Sequence, residues 1–79
     1  MVTVHREAGL RFVIFTDDHE PAHVHVVGDG HAKINLVGAD GQPELVSNDG
    51  LKAGDLRKAM RIVGEQQAML LEVWSKHHG

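Results

Sequence analysis

The hydrophobic pattern of the chain changes its period near residue 50. Before that point, apolar residues form short runs or alternate with polar residues, which is the pattern of β-strands. After it, apolar residues recur at intervals of three and four, which is the pattern of an amphipathic helix. The chain therefore predicts a strand-rich first half followed by a helical second half.

Three strands and a short fourth are predicted in the first half. The first run is rich in β-branched and aromatic residues, as is typical of a buried strand. Pro21 cannot donate to a sheet ladder, so we expect a loop over residues 16–21. Gly28 and Gly30 favour a turn and hence a hairpin. The predicted strands cover residues 10–15, 22–27, 32–36 and, as a short edge strand, 44–47.

The second half predicts one helix of about 25 residues, over 53–77. Its stripe consists of Leu56, Ala59, Met60, Val63, Gln67, Leu70, Leu71 and Trp74. Lys52 stands where Ser or Thr would cap the helix, so we expect the first turn to fray. Gly64 costs roughly 1 kcal/mol relative to Ala, which suggests a kink or a close contact there. Trp74 is expected to anchor the helix on the sheet or, alternatively, to serve as an interface hot spot.

Together these elements predict an α+β fold in a single domain, residues 1–79, with the sheet region over 3–47. The antiparallel sheet has three to four strands, and the long C-terminal helix covers one of its faces. Side chains alternate between the two faces of a strand, so Ala32, Ile34 and Leu36 are expected to face the core.

Composition limits how so small a domain can be stabilised. The 79 residues include no cysteine, which excludes disulfides and thiolate metal sites. Self-association and a metal bound by nitrogen and oxygen ligands remain, and the first is the simpler expectation. The chain shows no secretory leader pattern, and no apolar run reaches the roughly 20 residues that span a bilayer. We therefore expect a cytoplasmic protein with no membrane partner.

The net charge of −3 is unevenly distributed along the chain. Residues 1–50 carry three bases against eight acids, whereas residues 51–79 carry five bases against three acids. Four of the later bases are close together: Lys52, Arg57, Lys58 and Arg61. This asymmetry suits a protein partner or self-association, although the same bases also fit a solvated helix surface. The sequence does not favour a nucleic-acid partner, because no basic stripe with stacking aromatics is present, although these four bases could hold a few phosphates.

The candidate chemistry lies in residues 17–25, where three acids and three histidines surround Pro21. On an extended strand His23 and His25 share one face, while Ala22, Val24 and Val26 share the other. Imidazole and carboxylate groups are ligands of divalent metals, so His19, His23 and His25 form a candidate metal site. The binding candidates are Asp18, His19, His23 and His25.

Other roles for the same residues stay open. An acid of the Asp17–Asp18 pair can orient an imidazole for acid/base or nucleophilic catalysis. Alternatively, these acids accept backbone N–H groups, Pro21 fixes the exit angle of the loop, and His19 donates into it. The two strand histidines can also recognise a partner protein on an exposed face. If that face is solvated, His23→Ala should cost under about 1 kcal/mol.

The chain resembles the short prokaryotic proteins of the domain of unknown function 4160 family. The resemblance rests on residues 15–26, 32–36 and the helix ending at 70–74, above all on the Asp-His-x-Pro-x-His-x-His core. Ala22 replaces the second proline usual in that family, and Lys52 replaces a Ser or Thr helix cap. Asp18, His19, Pro21, His23 and His25 carry over as the family signature.

What the resemblance implies is limited, because the family has no established activity. Its members have been suspected of belonging to toxin–antitoxin-like modules. The sequence therefore predicts a small binding or interaction protein that presents the acid/histidine loop and strand, with no cofactor other than a candidate divalent metal. The alternative is a histidine-based or metal-dependent hydrolase, such as a nuclease; no residue is assigned a catalytic role.

Overall fold

A computed structural model describes residues 2–17 and 19–78 of the chain. Within them it contains β1 (Val2–Glu7), β2 (Leu10–Ile14), β3 (His23–Val27), β4 (His31–Asn35), β5 (Glu44–Asp49), α1 (Ala53–Glu65) and α2 (Gln67–His78). The strands form an antiparallel meander in the order β1-β2-β3-β4-β5. The α+β class and the antiparallel sheet are confirmed. The prediction of three to four strands is wrong, because the described residues form five.

The additional strand is β1, which pairs with β2 through a two-residue turn. Ala8 and Gly9 form this turn with φ of +55° and +76°, and Glu7 pairs with Leu10 on either side of it. Two positive φ values are what a type I′ hairpin turn requires. The sequence hid this hairpin because Asn or Asp usually precedes the glycine in such turns, and here alanine does.

The core lies between one face of the sheet, here called the inner face, and the two helices. The strands contribute Leu10, Phe12, Ile14, Val24, Val26, Ala32 and Ile34, with Leu36 just after β4; the helical half contributes Leu51, Ala59, Ile62, Val63, Leu70 and Trp74. The predicted inward positions Ala32, Ile34 and Leu36 are confirmed. Trp74 is 3% exposed within this cluster, as expected for an anchor of the helix on the sheet.

The predicted long helix is divided in two, which corrects the expectation of one helix over 53–77. Helix α1 ends at Glu65, and the N–H group of Gln66 closes it by bonding to the Ile62 carbonyl. The division lies two residues after Gly64, where an added Cβ would meet no atom within 4 Å, so close packing does not explain that glycine. At the start of the helix, Lys52 makes no side-chain capping bond, as predicted.

Gln67 fixes the start of α2 against the sheet. Its Nε2 donates to the Leu36 carbonyl at 2.7 Å and to the Gly41 carbonyl at 3.0 Å. Both acceptors lie in the connection between β4 and β5, so this side chain links the start of α2 to that connection. Neither helix in the described part of the chain combines the length and apolar character needed to cross a membrane.

Candidate functional site

The predicted site begins in the loop between β2 and β3. Asp18 lies outside the described residues. Asp17 and His19 are exposed, and His19 makes no hydrogen bond with the part of the chain that the structure describes. The bond between Glu20 and Pro21 is a cis peptide. The loop therefore presents Asp17 and His19 to solvent.

His23 is a buried residue at the start of β3. It is 4% exposed, and its Nδ1 donates to the carbonyl oxygen of Pro21 at 2.8 Å. Its ring centroid lies 5.1 Å from that of His25, which confirms that the two histidines share one strand face. The expectation of a solvated position is wrong for His23, because the Trp74 ring packs against it with centroids 5.1 Å apart.

The two histidines belong to a longer row of aromatic rings. We call this group the ring row; its members are Phe15, His23, His25, His31, Trp74 and His78. Neighbouring centroids are 5.2 Å apart for His31 and His25, 4.6 Å for His25 and Phe15, and 3.7 Å for Trp74 and His78. The row starts at exposed His31, passes through half-buried His25 to buried His23 and Trp74, and ends at half-buried His78.

At the exposed end of the row, His25 and His31 are hydrogen-bonded to each other. Their Nδ1 and Nε2 atoms lie 3.0 Å apart, and the two ring planes are within 6° of parallel. One nitrogen of this pair donates and the other accepts, so the pair can hold or pass one proton. Sequence analysis missed His31, although the predicted hairpin turn at 28–30 would have placed it diagonally across from His25.

At the other end, Trp74 and His78 fasten the end of α2 to the sheet. His78 approaches two carbonyl oxygens, that of Trp74 through Nδ1 at 2.9 Å and that of Phe15 through Nε2 at 3.2 Å. Only a doubly protonated imidazole donates from both nitrogens, so both bonds form together in the cationic form. Trp74 Nε1 donates to Glu20 Oε1 at 3.3 Å. The spacing of four between Trp74 and His78 is the signal that sequence analysis overlooked.

The described residues contain no group of three or more histidine, cysteine or acidic side chains that could hold a metal ion. His19, His23 and His25 are thus not gathered into a three-ligand set there. The prediction of a metal site stays a prediction, and it gains no support from these residues.

The model of the family called Domain of unknown function (DUF4160) matches residues 9–75. The chain belongs to this family. No curated protein and no solved structure matches the chain.

Two of the residues on which the sequence resemblance rests, His23 and His25, lie at the centre of the ring row. Pro21 contributes the carbonyl that accepts from His23. His19 is not part of the row, since it is exposed in the preceding loop. Ala22 is partly buried and packs against the core. His23 and His25 on β3 therefore place their rings in the ring row, whereas His19 in the preceding loop faces solvent.

Proposed function

We propose that this protein is a small binding protein that contacts an acidic polypeptide with the outer face of its sheet. The outer face is the one opposite the core, and at the start of β3 it is covered by Trp74 of α2, which packs on His23. One row of cross-strand neighbours on it is Arg6, Arg11, Val27, His31 and Asp49, and the next is Thr3, Val13, His25, Lys33 and Ser47.

The observation that carries the proposal is the placement of the early bases. Arg6, Arg11 and Lys33 are the only lysines and arginines among residues 1–50, and all three lie on the outer face. None of them forms an ion pair with another described residue. His25 and His31 lie beside them. A face with this charge is complementary to an acidic partner, even though the chain as a whole is negative.

The acid in the first row, Asp49, lies diagonally beside Lys33 and away from the two arginines. Asp49 lies three strands from Arg11, which at a strand spacing of about 4.8 Å corresponds to about 14 Å. The Debye length at physiological salt is about 8 Å, so the carboxylate is largely screened from the arginine. The part of the outer face that we assign to the partner therefore runs from Arg6 and Arg11, in β1 and β2, to Lys33 in β4.

Binding of poly-L-glutamate, followed by NMR at low and moderate salt, tests the proposal. We expect shifts at Arg11, His25 and Lys33, weaker binding as salt rises, and a loss of affinity of several fold in Lys33→Gln. Lys58→Gln, an exposed base on α1, is the matched control. If Lys58→Gln weakens binding and Lys33→Gln does not, the helix bases are the binding surface and the proposal is wrong.

A histidine-based hydrolase is the second candidate, and the 3.0 Å contact between His25 and His31 favours it. A hydrogen-bonded imidazole pair at the surface can act as acid and base. Hydrolysis of a nitrophenyl phosphodiester that falls about 100-fold or more in His31→Ala would support this function. Hydrolysis unchanged by that substitution would reject it. A toxin–antitoxin-like role, a metal-dependent reaction and a cytoplasmic location stay predictions.

A further inference from the structure

We propose that the cleft between Arg6 and Arg11 binds a phosphate group. This inference rests on the proposed function, because it assigns a ligand chemistry to one end of the same outer face. The two arginines are direct cross-strand partners in β1 and β2. A cavity of about 200 Å³ lies beside the hairpin turn, and Arg6, Glu7, Gly9, Leu10 and Arg11 line it.

The arginine pair is unusual for a sheet. Like charges that lie directly opposite each other on neighbouring strands destabilise the sheet. No described acidic residue forms an ion pair with either guanidinium group. An anion held between them would remove the repulsion, and planar guanidinium groups match the oxygen geometry of phosphate through two-pronged hydrogen bonds.

The carboxylates of Glu7 and Asp29 do not neutralise the two arginines. Glu7 lines the cavity, but its Oε1 lies 2.9 Å from His5 Nε2, and its strand position belongs to the inner face. Asp29, in the turn after β3, makes no ion pair with the arginines. With about 30 Å³ per water molecule, the cavity holds on the order of six waters, which leaves room for a tetrahedral anion.

The test measures binding of inorganic phosphate to the intact chain, with the arginine side-chain NMR signals as the readout and sodium chloride of equal ionic strength as the reference. We expect the signals of Arg6 and Arg11 to shift with phosphate only. Arg11→Gln should lower the affinity at least about tenfold, because it removes charged hydrogen bonds. Arg57→Gln, an exposed arginine on α1, should bind phosphate like the unsubstituted chain. Equal shifts with chloride, or unchanged affinity in Arg11→Gln, would overturn the proposal.

Arg11→Lys and Lys33→Gln separate this proposal from the general charge of the face. Arg11→Lys keeps the charge, so it should retain poly-L-glutamate binding but lose phosphate affinity several fold. Lys33→Gln should instead lose affinity for poly-L-glutamate and retain phosphate binding. If Arg11→Lys binds phosphate as well as arginine does, the cleft is only part of a charged surface and the phosphate assignment fails.

A pair of otherwise identical acidic peptides, one with serine and one with phosphoserine, identifies the source of the phosphate. If the phosphoserine peptide binds more tightly than inorganic phosphate, the natural ligand is a phosphorylated polypeptide. If the phosphoserine peptide and inorganic phosphate bind equally tightly, the natural ligand is a small phosphate ester. Both results require Arg6→Gln to weaken binding. Thermal melting of Arg6→Gln provides the folding control, since removing one of two like charges should leave the domain at least as stable.

Discussion

Substitution of His23 by alanine tests whether the ring row stabilises the domain. His23 is 4% exposed, and its Nδ1 donates to the Pro21 carbonyl at 2.8 Å. Pro21 itself is exposed, so losing this hydrogen bond costs its net contribution of about 0.5–1.5 kcal/mol. Each lost ring contact, with His25 and with Trp74, adds about 0.5–1.5 kcal/mol. We therefore expect His23→Ala to lower the free energy of unfolding by about 1.5–4.5 kcal/mol, above the cost of under about 1 kcal/mol expected for a solvated position.

Urea unfolding measures this loss. Far-UV circular dichroism should be the primary signal, because the substitution also changes the surroundings of Trp74, the single tryptophan of the chain. In a domain of this size each kcal/mol corresponds to about 4–8 °C in Tm, so His23→Ala should melt at least about 6 °C lower. His31→Ala, at the exposed end of the row, is the control and should cost under about 1 kcal/mol.

Two further variants divide the effect of His23 between its bond and its ring. His23→Asn keeps a donor near the Nδ1 position, whereas His23→Phe keeps an aromatic ring without a donor, so each should lie between alanine and histidine in stability. A loss of less than 1 kcal/mol in His23→Ala would refute the reasoning, because it would mean that neither the bond nor the ring contacts contribute.

Three other predictions concern the frame around the site. Ala8→Gly should raise the free energy of unfolding by about 0.5–1 kcal/mol, because alanine is strained at a φ of +55°; a destabilised variant in urea unfolding would contradict this. Gln67→Ala should lower the free energy of unfolding by about 1–3 kcal/mol, because it removes two hydrogen bonds to backbone carbonyls. Amide exchange in the β4–β5 connection should also become faster, and unchanged exchange would show that the side chain does not fix this connection. Gly30→Ala should abolish or severely weaken folding in thermal melts, because its Cβ would overlap the Gly50 backbone. Gly64→Ala, with no atom within 4 Å of the added Cβ, should instead stabilise the domain by up to about 1 kcal/mol, and similar melting of the two variants would argue against the close approach at Gly30.

Sequence by itself determined the features that depend on neighbours along the chain. The change of period near residue 50 separated strands from helices. Alternation within β4 assigned Ile34 to the core, and alternation within β3 assigned His23 and His25 to one face and Val24 to the other. These assignments succeed because side-chain direction repeats every two residues in a strand and every 3.6 in a helix. Local geometry alone fixes such repeats.

The tertiary structure decided burial and partnership. Trp74, far along the chain, turns His23 from a surface residue into a buried one, and the hairpin brings His31 to His25. Arg6 and Arg11 are paired only because a turn that the sequence pattern did not predict folds β1 onto β2. The break between α1 and α2 likewise accompanies a tertiary contact, in which the Gln67 side chain donates to the Leu36 carbonyl. Periodicity indicates which face a residue occupies, but what covers that face depends on residues distant in sequence, and so the candidate site could be only partly predicted.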